Sequence, residues 1–234
     1  MTSDCACNWL LISAAIFAFG WLGFSLVVVF FAALVNRARV RTAAAKENTH
    51  ADAVSELSDA SQFALDFEEA GAARIWFLDI LVWQSFGKHR YFVRLEDSLL
   101  FVTKFNDGTV LETLDNGFDH CTPLPRNFYR QTMATKDVDA LYQHHLDAEA
   151  ELMDTLQIRP QSCDETSFAD FFQRYLREDT GYVLLRPWIW LALPWRFLVT
   201  AQRYRRVSVV EQIRRGWVKI EARSPAWQKH AFSC

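Results

Sequence analysis

Apolar positions run almost unbroken near the N-terminus and become periodic further along the chain. No charged residue falls between Asp4 and Arg37, and within that gap Trp9–Val35 forms one continuous apolar run. A bilayer core about 30 Å thick needs about 20 helical residues, so the run predicts a transmembrane helix with residues to spare for tilt. A cleaved signal peptide would want a basic leader and a shorter apolar stretch, whereas the leader Met1–Asn8 carries Asp4 and no Lys or Arg. Arg37, Arg39 and Arg41 follow the run directly. Positive charge is retained on the cytoplasmic side, which places the leader outside and the remainder of the chain in the cytoplasm.

Beyond these arginines, Thr42–Ala53 is polar and alanine-rich and reads as a linker or helical extension. Val54, Leu57, Ser61, Ala64 and Phe67 recur at helical spacing up to Gly71 and predict a helix. Ile75–Val82 is a dense apolar run, and Tyr91–Leu95, Ser98–Phe105 and Thr109–Leu114 read as strands. Asp107-Gly108 suits a two-residue type I′ turn pairing Phe105 with Val110 and Phe101 with Leu114. That register gathers Leu99, Phe101, Phe105, Val110 and Leu114 on one face and sends Lys104 and Glu112 to opposite faces. Pro123 and Pro125 mark a loop over Asp119–Asn127. Thr135 precedes Asp137 and Asp139, the acidic first turn of an amphipathic helix that reaches Leu156 and is closed by Pro160. Ser167 and Asp170 resemble a capping box for a short aromatic helix carrying Phe168, Phe171, Phe172, Tyr175 and Leu176, with Gly181 as its stop.

The fold class is therefore a single N-terminal transmembrane helix plus a cytoplasmic α+β domain, a small antiparallel sheet with amphipathic helices. Five segments follow: a leader over 1–8, the membrane helix over 9–35, a basic juxtamembrane linker over 36–53, the α+β domain over 54–181, and a last segment over 182–234.

Charge separates the last two. The formal net charge of -3 conceals 12 basic and 25 acidic side chains over 42–181, against 10 basic and 2 acidic over 182–234. The last segment opens on Tyr182–Val199, apolar enough to suggest a second span but interrupted by Arg186, Pro187, Pro194 and Arg196. A second crossing would also export a strongly basic tail. Two readings fit better: a core segment packed on the domain, or a segment docked at the membrane interface. In the second, Trp188, Trp190 and Trp195 lie at headgroup depth, while Arg203, Arg205 and Arg206 meet anionic lipid headgroups. Nucleic acid is a poor partner for an acidic domain tethered to a membrane and lacking any known nucleic-acid motif.

Candidate chemistry is sparse. On the helix after Asp137, His145 and Glu149 lie one turn apart, and His144 with Asp147 form a second pair. Such spacing is how helical bundles assemble metal ligands, although acidic helices produce it often without a metal. Asp119-His120-Cys121 sets a histidine beside a thiol, but adjacent side chains rarely reach one reacting atom. Cys5 and Cys7 lie on the outer side of the span, where cross-linking is conceivable. No phosphate loop or dinucleotide fingerprint is present, and no catalytic residue or cofactor is assigned. Gly20 and Gly23, with Ala14, Ala18 and Ser25, offer small residues for a second helix, whether another copy or a multi-pass partner. The function these features favour is a non-enzymatic interaction or scaffold module on the cytoplasmic face. The alternatives are a tethered enzyme using Asp119–Cys121 or His144–Glu149, and an accessory subunit of a multi-pass complex.

Overall fold

The computed structural model describes residues 3–37, 42–43, 67–75, 78–85, 87, 89–95, 98–115, 123–162 and 168–218. Helix α1 covers Ser3–Arg37. Within it, Ile12–Arg37 is long and apolar enough to cross a membrane. Among the described residues seven strands follow: β1 (Thr42–Ala43), β2 (Phe67–Ile75), β3 (Leu78–Ser85), β4 (Arg90–Leu95), β5 (Ser98–Lys104), β6 (Val110–Leu114) and β7 (Phe128–Thr132). They form one sheet in chain order. Helices α2 (Val138–Leu156), α3 (Phe168–Leu184), α4 (Pro187–Trp195), α5 (Ala201–Tyr204) and α6 (Val209–Arg214) come after, with a π-helical turn over Arg196–Thr200 between α4 and α5.

The domain is α+β, but its sheet is mixed rather than antiparallel. Strands β1 to β6 form an antiparallel meander, and β7 then runs parallel to β6, pairing Val110 with Phe128 and Leu114 with Thr132. The helix anticipated over Val54–Gly71 ends differently. Phe67–Ile75 is strand β2, and the rest of that stretch lies outside the described residues. Its helical spacing gives way at Phe67-Glu68-Glu69-Ala70-Gly71, where pairing with β3 decides the local structure and the register shifts between Glu69 and Gly71.

The β5–β6 turn corrects the expected register by one residue. Lys104 pairs with Val110 and Leu100 with Leu114. The loop is Asn106-Asp107-Gly108, closed by Phe105 N–H to the Thr109 carbonyl at 2.8 Å and Gly108 N–H to the Phe105 carbonyl at 3.0 Å. Gly108 alone of these residues has positive φ, 84°. A three-residue loop ending on a left-handed glycine replaces the type I′ turn, which requires positive φ at Asp107 as well. Asp107 stabilises the loop by accepting from the Thr109 N–H and hydroxyl, both at 2.8 Å.

A one-residue slip exchanges faces. Leu99, Phe101 and Phe105 stay together and are joined on their face by Leu111, while Val110 and Leu114 turn to the opposite face with Leu100 and Val102. Lys104 and Glu112 share that second face instead of opposing each other. Both faces are covered. Helix α2 packs Leu141, Tyr142, Ala148 and Leu152 over Phe92, Phe101, Phe105, Leu111 and Tyr129. Helix α3 packs Phe172 and Tyr175 over Tyr91, Val93, Val102, Val110 and Phe128. All five residues of β6 are buried in consequence.

Asp137 caps α2, its carboxylate accepting from Asp139 N–H at 3.0 Å and Ala140 N–H at 3.2 Å. The helix ends at Leu156 as the sequence suggests, with Gln157 in the left-handed region beyond it. Gly181 does not stop α3, which continues to Leu184. A Cβ at Gly181 would lie 4.0 Å from Asn36 Oδ1 on α1, an ordinary contact, so the position does not require glycine.

Candidate functional site

Helix α2 sends its two histidine pairs to opposite sides. His145 and Glu149 face the sheet and are buried, whereas His144 and Asp147 are exposed. Residues four apart share a helix face, and their immediate neighbours do not.

On the sheet side, the buried pair joins a chain of hydrogen bonds across four strands. Gln131 on β7 donates from Nε2 to Thr113 Oγ1 at 2.8 Å. Thr113 Oγ1 lies 2.8 Å from His145 Nδ1, and Thr103 Oγ1 lies 2.9 Å from His145 Nε2. The Thr103 hydroxyl donates to Glu149 Oε2 at 2.8 Å. Arg90 on β4 closes the chain, with Nε and Nη2 meeting the two Glu149 oxygens at 2.8 and 2.7 Å. One assignment of protons satisfies every member. Thr103 gives its proton to Glu149 and so accepts from Nε2–H, which leaves Nδ1 to accept from Thr113.

Burial pushes the His145 ring down to about 4. It is a neutral histidine at pH 7. Burial also works to raise Glu149, but the Arg90 hydrogen bonds and charge outweigh it and hold the carboxyl below its ordinary value. The Glu149 hydrogen bond in turn holds Arg90 above its own. All named polar atoms of the relay are engaged with one another, and His145 has no exposed surface. The arrangement fixes α2 on the sheet, and proton transfer to a substrate would require breaking it.

The opposite face holds a second buried ion pair. Arg130 Nε on β7 donates to Glu112 on β6 at 2.5 Å, and Arg130 Nη2 lies 3.7 Å from Asp179 on α3. These charges bridge the parallel strand pair to α3. Sequence reasoning missed Arg90, Thr103, Thr113, Gln131, Glu112 and Arg130. The available signal was polar residues inside strands whose both faces are covered.

The outward pair lines an open groove of about 570 Å³ between α2 and α6, with Met133, Thr135, Arg206 and Glu211. Asp147 accepts there from Gln143 Nε2 at 3.1 Å, and Glu211 is paired with Arg215 at 2.6 Å. Among the described residues, no three His, Cys, Asp or Glu side chains converge as metal ligands. Asp119-His120-Cys121 lies outside the described residues.

The structure separates the six residues of the expected membrane-interface set. Trp188 and Trp195 are exposed on α4. Trp190 is half-buried, its indole donating to the Val183 carbonyl at 2.9 Å. Arg203, Arg205 and Arg206 are exposed on and after α5. The Arg203 guanidinium lies 4.2 Å from the Trp217 ring centroid. Arg205 and Arg206 follow the sheet edge, where the Arg206 N–H donates to the Thr132 carbonyl at 2.8 Å.

Helix α4 leans on α1. Val183, Ile189 and Leu193 pack against Phe24, Val28 and Val29. The Trp21 indole donates to the Leu191 carbonyl at 2.7 Å, and the Phe24 and Phe197 rings meet at 5.3 Å. Lower on α1, the Thr180 hydroxyl lies 3.1 Å from Asn36 Oδ1. No family model, curated protein or solved structure matches this chain.

Proposed function

We propose that the chain is a membrane-anchored interaction module, held in the bilayer by α1 and displaying a non-catalytic α+β domain on the cytoplasmic side. The supporting observation is α1 itself: every residue from Ile12 to Gly20 is exposed, including Ile16, Phe17 and Phe19. A helix apolar over Ile12–Arg37 and bare of protein from Ile12 to Gly20 suits hydrocarbon rather than water. Arg37, Arg39 and Arg41 supply the orientation through the positive-inside rule. The engaged His145–Glu149 relay supports a scaffolding role for α2 over a catalytic one.

Alkaline extraction of membranes should leave the full-length chain in the pellet, and release to the supernatant overturns the anchor. The purified chain should contain no stoichiometric metal. It should also show no turnover of ester, phosphoester or peptide substrates that His144→Ala or Cys121→Ser removes. Such a loss replaces the module with the tethered enzyme.

A second reading, accessory subunit of a multi-pass complex, has its own support. A Cβ added at Gly20 or Gly23 meets nothing within 4 Å, which leaves room for a closely packed partner helix. Gly20→Leu with Gly23→Leu should then release a partner without releasing the chain from the membrane.

A further inference from the structure

We propose that the end of α3 and the helix that follows it from Pro187 through Thr200 form a re-entrant hairpin, broken at Leu185–Arg186, that inserts into the cytoplasmic leaflet beside α1 and returns to the sheet without crossing. The partner is the acyl-chain layer of that one leaflet. The inference rests on α1 being the anchor, and three sets of observations carry it.

The first is depth. The path begins in α3 where Thr180 meets Asn36, next to Arg37 at the basic end of α1, four residues before that helix ends at Leu184. It reaches Trp21 at Leu191. From Asn36 to Trp21 an α-helix rises about 22 Å, at about 1.5 Å per residue. Trp21 and Phe24 flank the middle of the apolar run Trp9–Val35. Phe197 already lies beside Phe24, and by Arg205 the chain bridges Thr132 on β7. The path goes up and comes back.

The second is the division of faces. Val183, Ile189 and Leu193 are buried against α1. Leu185, Trp188, Leu191, Trp195, Leu198 and Val199 are exposed, and Trp188 and Trp195 remain 65% and 58% accessible. They extend the exposed apolar surface formed on the same half of α1 by Leu26, Val27, Phe30 and Phe31. Protein cover on α1 recurs at Trp21, Phe24, Ser25, Val28, Val29 and Ala32 and stops above Trp21. Among the described residues toward the leader, Trp9 and Ile12–Gly20 have none. Cover confined to one half of a span suits an element lodged in one leaflet.

The third is how the polar groups are handled. Irregular backbone is tolerated at membrane depth only where protein satisfies it. At the α3–α4 break, Leu185 and Arg186 N–H groups donate to the Gly181 and Val183 carbonyls at 3.0 and 3.2 Å. Pro187 starts α4, a position that needs no N–H. Pro194 removes one helical donor, the next turn widens to a π-helix, and the Trp21 indole serves the Leu191 carbonyl. Arg186 sits at the break, 3.8 Å from the Tyr182 ring centroid, and donates to the Tyr182 carbonyl. Arg196, next to Phe197 in the same helix, is half-buried and makes a contact within the protein rather than lying open to lipid. Arg203, Arg205 and Arg206 emerge beyond the hairpin, where headgroup phosphates would lie.

The test uses full-length chain with its five cysteines changed to serine. Single nitroxide-labelled cysteines are placed at Leu191, Leu198, Val27 and Asp154, and the protein is reconstituted in phosphatidylcholine–phosphatidylglycerol vesicles. Relaxation by oxygen against that by a water-soluble nickel chelate reports depth. Labels at 191 and 198 should match the one at 27, with an oxygen-to-nickel ratio at least 10-fold above that at 154. Nickel access at 191 and 198 with 27 still shielded overturns the hairpin and leaves the anchor standing. Nickel access at all four overturns the anchor too. Shielding of 191 and 198 from both reagents, with spin–spin broadening, assigns the face to a second copy of the chain and also overturns the proposal.

Discussion

His145 lies between Thr103 and Thr113, so its charge state is coupled to folding. An ordinary histidine titrates near 6.5, and burial holds this one down to about 4. Between those values the unfolded chain binds a proton that the folded chain refuses, so stability is complete above pH 6.5 and declines as pH falls toward 4. The full decline is about 3 kcal/mol. Glu149 acts in the same direction but later. Its lowered carboxyl contributes stability above its ordinary value of 4.5 and loses it only in stronger acid. Urea unfolding of the full-length chain in detergent should therefore weaken steadily from pH 6.5 to 4.5. His145→Asn should be less stable at pH 7, since both threonines lose a fitted partner at about 1–3 kcal/mol each. It should also show little slope over that interval. An unchanged slope in the variant would mean that His145 is not the titrating group.

At the scale of elements, the strands and α2 were legible because period and capping agree, and the faces were not. Tyr91–Leu95, Ser98–Phe105 and Thr109–Leu114 all appear as strands, and α2 opens at Val138 with Asp137 as its cap rather than in its first turn. The hairpin shows where the pattern runs out. Leu99 to Phe105 is apolar on both faces, so alternation leaves the register open, and the loop length sets it. Asn106 in the loop, rather than Asp107-Gly108 alone, makes the difference of one residue. The buried relay was half visible. His145 and Glu149 declared a shared helix face, but Arg90, Thr103, Thr113 and Gln131 meet them only after four strands have aligned. The π-turn and the lean of α4 on α1 were illegible for a related reason, since packing between distant segments has no local period. Gly108 remains a test of the turn. Its φ of 84° sits where a β-branched side chain is strained, so Gly108→Val should cost roughly 1 kcal/mol or more in chemical denaturation. Gly108→Asn should recover part of that, since Asn tolerates the left-handed region. A neutral valine variant would show that the loop can adopt another turn without loss.

At the scale of the molecule, charge and apolarity are sorted along the chain in a way that fits one crossing. Basic residues stand at Arg37, Arg39 and Arg41 and again throughout 182–234, while the acidic excess lies between them. A hairpin that returns to β7 keeps both basic groups on one side of the bilayer, whereas a second span would divide them and export the tail against the positive-inside rule. Arg186 and Arg196 add to the argument, because each costs about 2.5–3.5 kcal/mol at the centre of a helix inserted alone. In the hairpin both are half-buried, and Arg186 is held by the Tyr182 ring rather than exposed to lipid. A reporter fused after Cys234 should therefore be active only in its cytoplasmic form, and one fused before Met1 only in its external form. Changing Arg37, Arg39 and Arg41 together to Glu should weaken that preference, producing a mixed population by protease protection. The apolar run would still insert, since its length is untouched. An external C-terminus in the unaltered chain would mean that Tyr182–Val199 completes a crossing, and the single-crossing topology would be lost along with the hairpin.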